Sequence, residues 1–266
     1  MPRRHFIRRG AVRAAIAAPE DLPFSKFVPN GLTLLGLCSG ATSIRFALAE
    51  NWKAAVFAIV LATIFDLLDG RMARLMKADS KFGAQLDSLS DLVSFGIAPS
   101  VLVYLWSLSH AGGAGWTLCL MFCACAAIRL ARFNIESADE SAAKTGCFVG
   151  MPTPIAACLA LLPMILSFQF TSDTLFRNPL LGGALVAGIS LMMVSRIPTP
   201  SLKHLRIPKH LKLPLAGFVG LVLGFAVLWP WATLTSALIM YVLMLPFGGR
   251  FAHHEGDAAD EPPSAE

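Results

Sequence analysis

Asp66, Asp69, Asp87 and Asp91 fall within one stretch, DLLDGRMARLMKADSKFGAQLDSLSDLVS (residues 66–94), of a chain that otherwise reads as membrane. Carboxylates are hard oxygen ligands and proton acceptors, so four of them in apolar surroundings can hold cations or take a proton from a hydroxyl. An aspartate at mid-membrane costs ~2.5–3.5 kcal/mol on the insertion scale. Four like charges also repel. Arg71 and Arg74 cannot neutralise them all, and Arg71 projects from a different helical face. Bound divalent cation is the simplest remedy. With no His or Cys in the stretch, the donor set suits Mg2+ or Mn2+, with Ca2+ a third candidate, rather than Zn2+. Magnesium commonly works beside substrate phosphates, and two ions suit a displacement at phosphorus. Two other readings stand beside this one. The aspartates could cap helices or pair with arginines, or they could line the pathway of a carboxylate-based ion transporter. A transporter is expected to show repeat symmetry and broken helices in matching halves, and the sequence shows neither.

The elements that must position these groups follow from hydropathy. The 266 residues are 55% hydrophobic and 15% charged, and the mean hydropathy is +0.63. Eight apolar stretches stand out: Gly31–Leu48, Ala54–Leu68, Leu92–Leu108, Trp116–Ile128, Pro154–Phe170, Pro179–Val194, Leu213–Leu228 and Trp231–Phe247. Strand-like alternation is absent, so helices must satisfy the backbone in lipid. The expected fold is all-α, a polytopic membrane bundle of about eight helices. Six spans with two re-entrant pieces are the alternative, because several stretches fall short of the ~20 residues that cross a bilayer.

The second stretch places Asp66 ~20 Å along its helix, and the third places Asp87 and Asp91 ~6 and ~12 Å from its start near Gly83. Both pairs therefore reach a similar depth, in the inner third of a ~30 Å core. Asp66, Asp69, Gly70, Ala73 and Arg74 share one helical face, and Gly83, Asp87 and Asp91 form a stripe on the next. Adjacent antiparallel helices can turn these faces toward each other. The small residues among them leave room for close backbone approach or a ligand.

Basic residues set the expected orientation. They crowd the N-terminal segment, the 66–94 connection, the region after the fourth stretch and the sixth-to-seventh loop, whereas the opposite loops hold only Lys53 and Arg177. Both termini are expected in the cytoplasm, and the +5 net charge reflects this bias rather than nucleic-acid binding. The basic start reads as an amphipathic helix on the inner membrane surface, not a cleaved signal peptide. The six cysteines form no C-x-x-C pair and read as small membrane residues, not disulfides or metal ligands. Four regions result: a basic juxtamembrane arm (1–29), a membrane core (30–203), a connector with the C-terminal membrane helices (204–247), and a polar tail expected to be disordered (248–266).

Read in order, Asp66-x-x-Asp69-Gly70-x-x-Ala73-Arg74, then Gly83-x-x-x-Asp87-x-x-x-Asp91, resembles the signature of the CDP-alcohol phosphatidyltransferases at every fixed position. The resemblance implies a membrane-embedded enzyme, usually a homodimer, with a six-helix core. Such an enzyme displaces CMP from a CDP-linked lipid with an alcohol. Asp66, Asp69, Asp87 and Asp91 would bind two metal ions, and Asp91 would also be the general base. Gly70, Ala73, Arg74 and Gly83, with Ser80, Asn30 and Thr33, would hold the CDP-diacylglycerol headgroup. LARFN at 130–134, GMPTP at 150–154 and MVSRIPTPSLK at 193–203 are similar to bacterial and archaeal members whose acceptor is L-serine. That similarity puts Arg129, Arg132, Asn134, Pro152 and Thr153 near the acceptor, where an Arg would suit a carboxylate. Sibling enzymes using glycerol-3-phosphate, inositol phosphate or choline remain the alternative. The resemblance further implies an integral inner-membrane protein whose active site faces the cytoplasm.

Overall fold

A computed structural model of the chain describes residues 24–76, 80–138, 151–170, 173–195 and 212–259. The expected basic surface helix, Gly150 of GMPTP and the 196–211 connector lie outside the described residues.

All described elements are helical. They are α1 (Phe24–Leu48), α2 (Trp52–Leu75), α3 (Lys81–Asp91) and α4 (Ala98–Trp106), then α5 (Gly112–Ala138) and α6 (Thr153–Ala160). The remainder are α7 (Leu162–Ser167), α8 (Asp173–Phe176), α9 (Pro179–Val194), α10 (Lys212–Leu228) and α11 (Pro230–Ala259). A six-residue π turn, Leu92–Ile97, joins α3 to α4 without a break. Among the described residues, three helices are long and apolar enough to cross a membrane: Phe27–Leu48, Lys81–Trp106 and Leu108–Ile135. The shorter apolar helices Pro179–Val194 and Pro230–Met244 accompany them. This is an integral membrane protein. Each of the eight apolar stretches falls largely on helix, but α2 is not among these spans, because Lys53, Asp66, Asp69, Arg71 and Arg74 make it too charged.

α1 organises the site. Its inward face is a seam of Pro29, Thr33, Gly36, Gly40, Ser43 and Ala47, all buried, at alternating spacings of four and three. In lipid the hydrophobic effect gives helices no reason to associate, and small residues instead let backbones approach and hydroxyls bond across. α1 accordingly packs along α2 and also against α3, the π turn and α4. At the closest crossing, a Cβ on Gly40 would run into the backbone and side chain of Ser94. Ser39 Oγ donates to the Ala58 carbonyl at 2.8 Å, Ser90 Oγ to the Thr33 carbonyl at 3.0 Å and Ser94 Oγ to the Gly36 carbonyl at 3.2 Å. The sequence suggests α2 and α3 as direct partners, yet the helix on which both pack is α1.

Local chemistry explains other boundaries. α1 begins at Phe24, ahead of the expected start near Asn30, and carries Pro29 in its second turn. Ser80 caps α3, accepting from the Gly83 N–H at 3.0 Å. The fifth apolar stretch divides into α6 and α7 at Leu161, two residues before Pro163, whose missing N–H cannot continue the ladder. α5 presents Cys119, Phe122, Ala126 and Leu130 to the interior, one helical face. The five described cysteines are free, as expected of small membrane residues. Trp229 alone separates α10 from α11, which pack together as a hairpin. α11 runs on to Ala259, into the polar segment expected as disordered tail, because extending an existing helix through Ala- and His-containing sequence costs little.

Candidate active site

Helical spacing brings all four aspartates to one narrow crevice, which Asp66, Asp69, Asp87 and Asp91 line together with Thr33, Ser90 and Ser94. One carboxylate oxygen each from Asp66, Asp69 and Asp87 lies within 4.8 Å of the others. Asp91 stands at hydrogen-bonding range of Asp66. Asp69 is the most enclosed, at 5% exposure, and its Oδ2 accepts from Thr33 Oγ1 at 2.6 Å. The same hydroxyl lies 3.1 Å from the Pro29 carbonyl one turn earlier. The π turn begins directly after Asp91. Such turns shift the register of a helix and recur at functional sites. Here the turn presses Ser94 against Gly36 and Gly40, which fixes the carboxylate-bearing end of α3 against α1.

An all-oxygen set of three converging carboxylates, one held by a hydroxyl, fits a hard divalent cation. It offers no soft ligand for zinc or copper.

Beside the crevice opens a cavity of about 310 Å3, within the range of small-molecule sites, roughly 300–1,000 Å3. All seven positions assigned to the nucleotide by resemblance line it: Asn30 and Thr33 of α1, Gly70, Ala73 and Arg74 of α2, Ser80 before α3, and Gly83. Asp69 and Asp87 line both spaces. Gly70 faces open space. At Gly83 a Cβ would sit 3.1 Å from both Asn30 Oδ1 and Ser80 Oγ, so the missing side chain keeps this wall open.

The residues assigned to the acceptor divide between two settings. Arg129 interacts electrostatically with Asp91, and its Nη1 donates to Thr153 Oγ1 at 2.6 Å. Thr153 is fully buried at the start of α6, behind Pro152. Arg132 turns elsewhere, donating from Nη1 to the Val194 carbonyl at 3.1 Å, where α9 ends. Asn134 Nδ2 donates to Ser88 Oγ at 2.9 Å, tying α5 to α3 one turn from Asp91. Thus Arg129 and Thr153 come together beside the carboxylates, while Arg132 and Asn134 bind neighbouring helices. Ser90 and Ser94, which hold α3 to α1, carry no sequence signal beyond their place on a helix with Asp87 and Asp91.

The chain matches the family model for CDP-alcohol phosphatidyltransferase over residues 26–195, a span that holds both cavities and every residue named above. The chain belongs to the CDP-alcohol phosphatidyltransferase family. It is similar to the CDP-diacylglycerol–serine O-phosphatidyltransferase of Mycobacterium leprae, 35% identical over 224 residues, which are 84% of this chain and 74% of that protein. The protein of the same description from Bacillus subtilis is 36% identical over 178 residues, 66% of this chain and 92% of the relative. The archaetidylserine synthase of Methanothermobacter thermautotrophicus is 32% identical over 188 residues, 68% of this chain and 73% of that protein. Membership places the aspartate crevice in an enzyme family that uses divalent metal, in agreement with its donor set.

Proposed function

We propose that this protein transfers a phosphatidyl group from CDP-diacylglycerol to the hydroxyl of L-serine, yielding phosphatidylserine and CMP. One observation carries the reading most directly. The aspartate crevice shares Asp69 and Asp87 with a nucleotide-sized cavity lined by Arg74, while its Asp91 interacts electrostatically with Arg129, which bonds Thr153. A donor and an acceptor can therefore meet at Asp91.

The serine hydroxyl oxygen bonds to the phosphatidyl phosphorus as the bond from that phosphorus to the CMP oxygen breaks, and the hydroxyl proton passes to Asp91. A carboxylate at hydrogen-bond reach suits that transfer. Asp66, Asp69 and Asp87, with Asp91 beside them, would hold two divalent ions, Mg2+ or Mn2+, which would supply Lewis acidity at the phosphorus and charge neutralisation for CMP. Thr33 fixes one oxygen of Asp69 and so orients the other. Arg74 forks onto diphosphate oxygens, and Gly70, Ala73 and Gly83 let the cytidine diphosphate approach the backbone. Arg129 pairs with the acceptor carboxylate. The acyl chains stay in lipid, which explains why a reaction between two water-soluble headgroups takes place on a membrane protein.

The eight apolar stretches span the inner membrane in alternation, with both termini and the crevice on the cytoplasmic side, as the loop charges favour. The protein acts as a homodimer, by analogy with its family.

The test is CMP release by purified protein given CDP-diacylglycerol, Mn2+ or Mg2+ and, in parallel, L-serine, glycerol-3-phosphate, inositol phosphate or choline, with the lipid product identified. Release with serine alone, giving phosphatidylserine, is expected. Release with another acceptor instead would overturn serine while keeping the aspartate chemistry.

A further inference from the structure

Tyr241 belongs to α11, beyond the 26–195 span matched by the family model. Its placement is not accidental. α11 docks through one face, on which Trp231 meets Phe168 edge-on with ring centroids 4.9 Å apart. Thr235, next on that face, accepts from Gln169 Nε2 at 2.6 Å, and Leu238 is buried in the core. Tyr241 is the next residue on that face and packs against the core. Its phenol oxygen is buried and makes no hydrogen bond. Buried polar atoms in folded proteins are almost always partnered, because an unmade hydrogen bond leaves the full desolvation cost. Among the described residues, the Arg129 guanidinium acts electrostatically on Tyr241 and on Asp91 alike.

A phenol O–H and a guanidinium are both donors. Two donors from different helices, one of them acting on the proposed general base, with no acceptor at the phenol among the described residues, describe a place for an anion with several lone pairs. An amino-acid carboxylate is such an anion, and a neutral alcohol such as serinol offers nothing equivalent. We propose that Tyr241 is a specificity-determining residue of the acceptor subsite, its O–H donating to the carboxylate of the amino-acid acceptor that Arg129 pairs with. The inference rests on the serine reading of the preceding section and adds to it a contact from the C-terminal helix. It also gives α11 a part in the reaction.

The experiment compares wild type with Tyr241→Phe, which keeps the ring and removes only the hydroxyl. The KM for L-serine should rise about tenfold, the worth of one hydrogen bond to a charged group. The kcat and the KM for CDP-diacylglycerol should change little. Serinol, which carries a second hydroxymethyl in place of the carboxylate, should be a poor acceptor for wild type, and the gap between serine and serinol should narrow in the variant. An unchanged serine KM, or an equal loss with both acceptors, would overturn the proposal.

A binding readout stands apart from turnover and from the folding of that variant. The chain has two tyrosines, so in Tyr104→Phe protein labelled with 13C at the tyrosine Cζ the single signal is Tyr241. L-serine should shift this signal and serinol should not. A signal unmoved at saturating serine would refute the contact. If wild type makes phosphatidylserine while the signal stays fixed, the function stands and the role of Tyr241 falls. If wild type does not use serine at all, the functional reading itself falls.

Discussion

Thr33 on α1 donates a 2.6 Å hydrogen bond to Asp69 on α2, fixing the most buried carboxylate of the cluster from a helix that contributes no carboxylate of its own. A hydrogen bond to a charged group contributes about 1.5–3 kcal/mol. Thr33→Val keeps the shape and removes the donor. It should weaken metal-dependent turnover about ten- to a hundredfold, with the Mn2+ titration displaced to higher concentration. Thr33→Ser should stay close to wild type. Equal Mn2+ titrations for the valine and serine variants would mean that Thr33 does not orient Asp69.

Asp91 and Asp69 should fail in different ways. Asp91→Asn removes the proposed base and should lower turnover by about two to four orders of magnitude. It should leave CDP and Mn2+ binding measurable by calorimetry. Asp69→Asn should weaken Mn2+ binding and turnover together. Normal turnover in Asp91→Asn would remove it as the base.

Gly40 lies where α1 and the π turn make their closest approach. Gly40→Val must push Ser94 away, and overpacking of this kind costs about 1–3 kcal/mol. The variant should melt earlier in detergent and lose activity, because the Ser94–Gly36 bond beside the carboxylates is disturbed. Gly70→Ala, whose Cβ would meet nothing, should melt like wild type. The Gly70 variant would show any defect in the KM for CDP-diacylglycerol alone.

Arg129 and Arg132 stand one turn apart on α5 but hold different partners, Thr153 beside the carboxylates and the Val194 carbonyl at the end of α9. Arg129→Lys keeps charge but loses the planar fork, and should raise the KM for L-serine about tenfold or more. Arg132→Lys should chiefly lower the melting temperature. Steady-state kinetics and melting in detergent, measured on both variants, separate the two roles. A serine KM that rises only in the Arg132 variant would reverse the assignment.

The carboxylate site was legible in the sequence because covalent spacing dictates it. Three aspartates lie on two helices at spacings that a period of ~3.6 residues sends inward, and the fourth follows one turn later. The seven residues expected at the nucleotide line one cavity for the same reason. What the sequence hid was the mediator. The seam on α1 is made of Gly, Ser, Thr and Ala, which hydropathy records as weakly apolar filler, although such residues set backbone approach in lipid. The π turn after Asp91 was equally hidden, since inserting one residue into a helical ladder leaves composition unchanged. Asn134, expected near the acceptor, shares a hydrogen bond with Ser88 that its place in LARFN does not announce. Tyr241 gave no signal because α11 carries no motif, and only the fold brings it to Arg129.

The most direct test of the account strips metal from the purified protein and then titrates Mn2+ back in the presence of CDP-diacylglycerol and L-serine, following CMP and phosphatidylserine together. The account predicts no product without metal, then equal amounts of CMP and phosphatidylserine rising with Mn2+, and neither product from a variant with Asp66, Asp69 and Asp87 all changed to Asn. Metal-independent CMP release, CMP without phosphatidylserine, or product from the triple variant would contradict it.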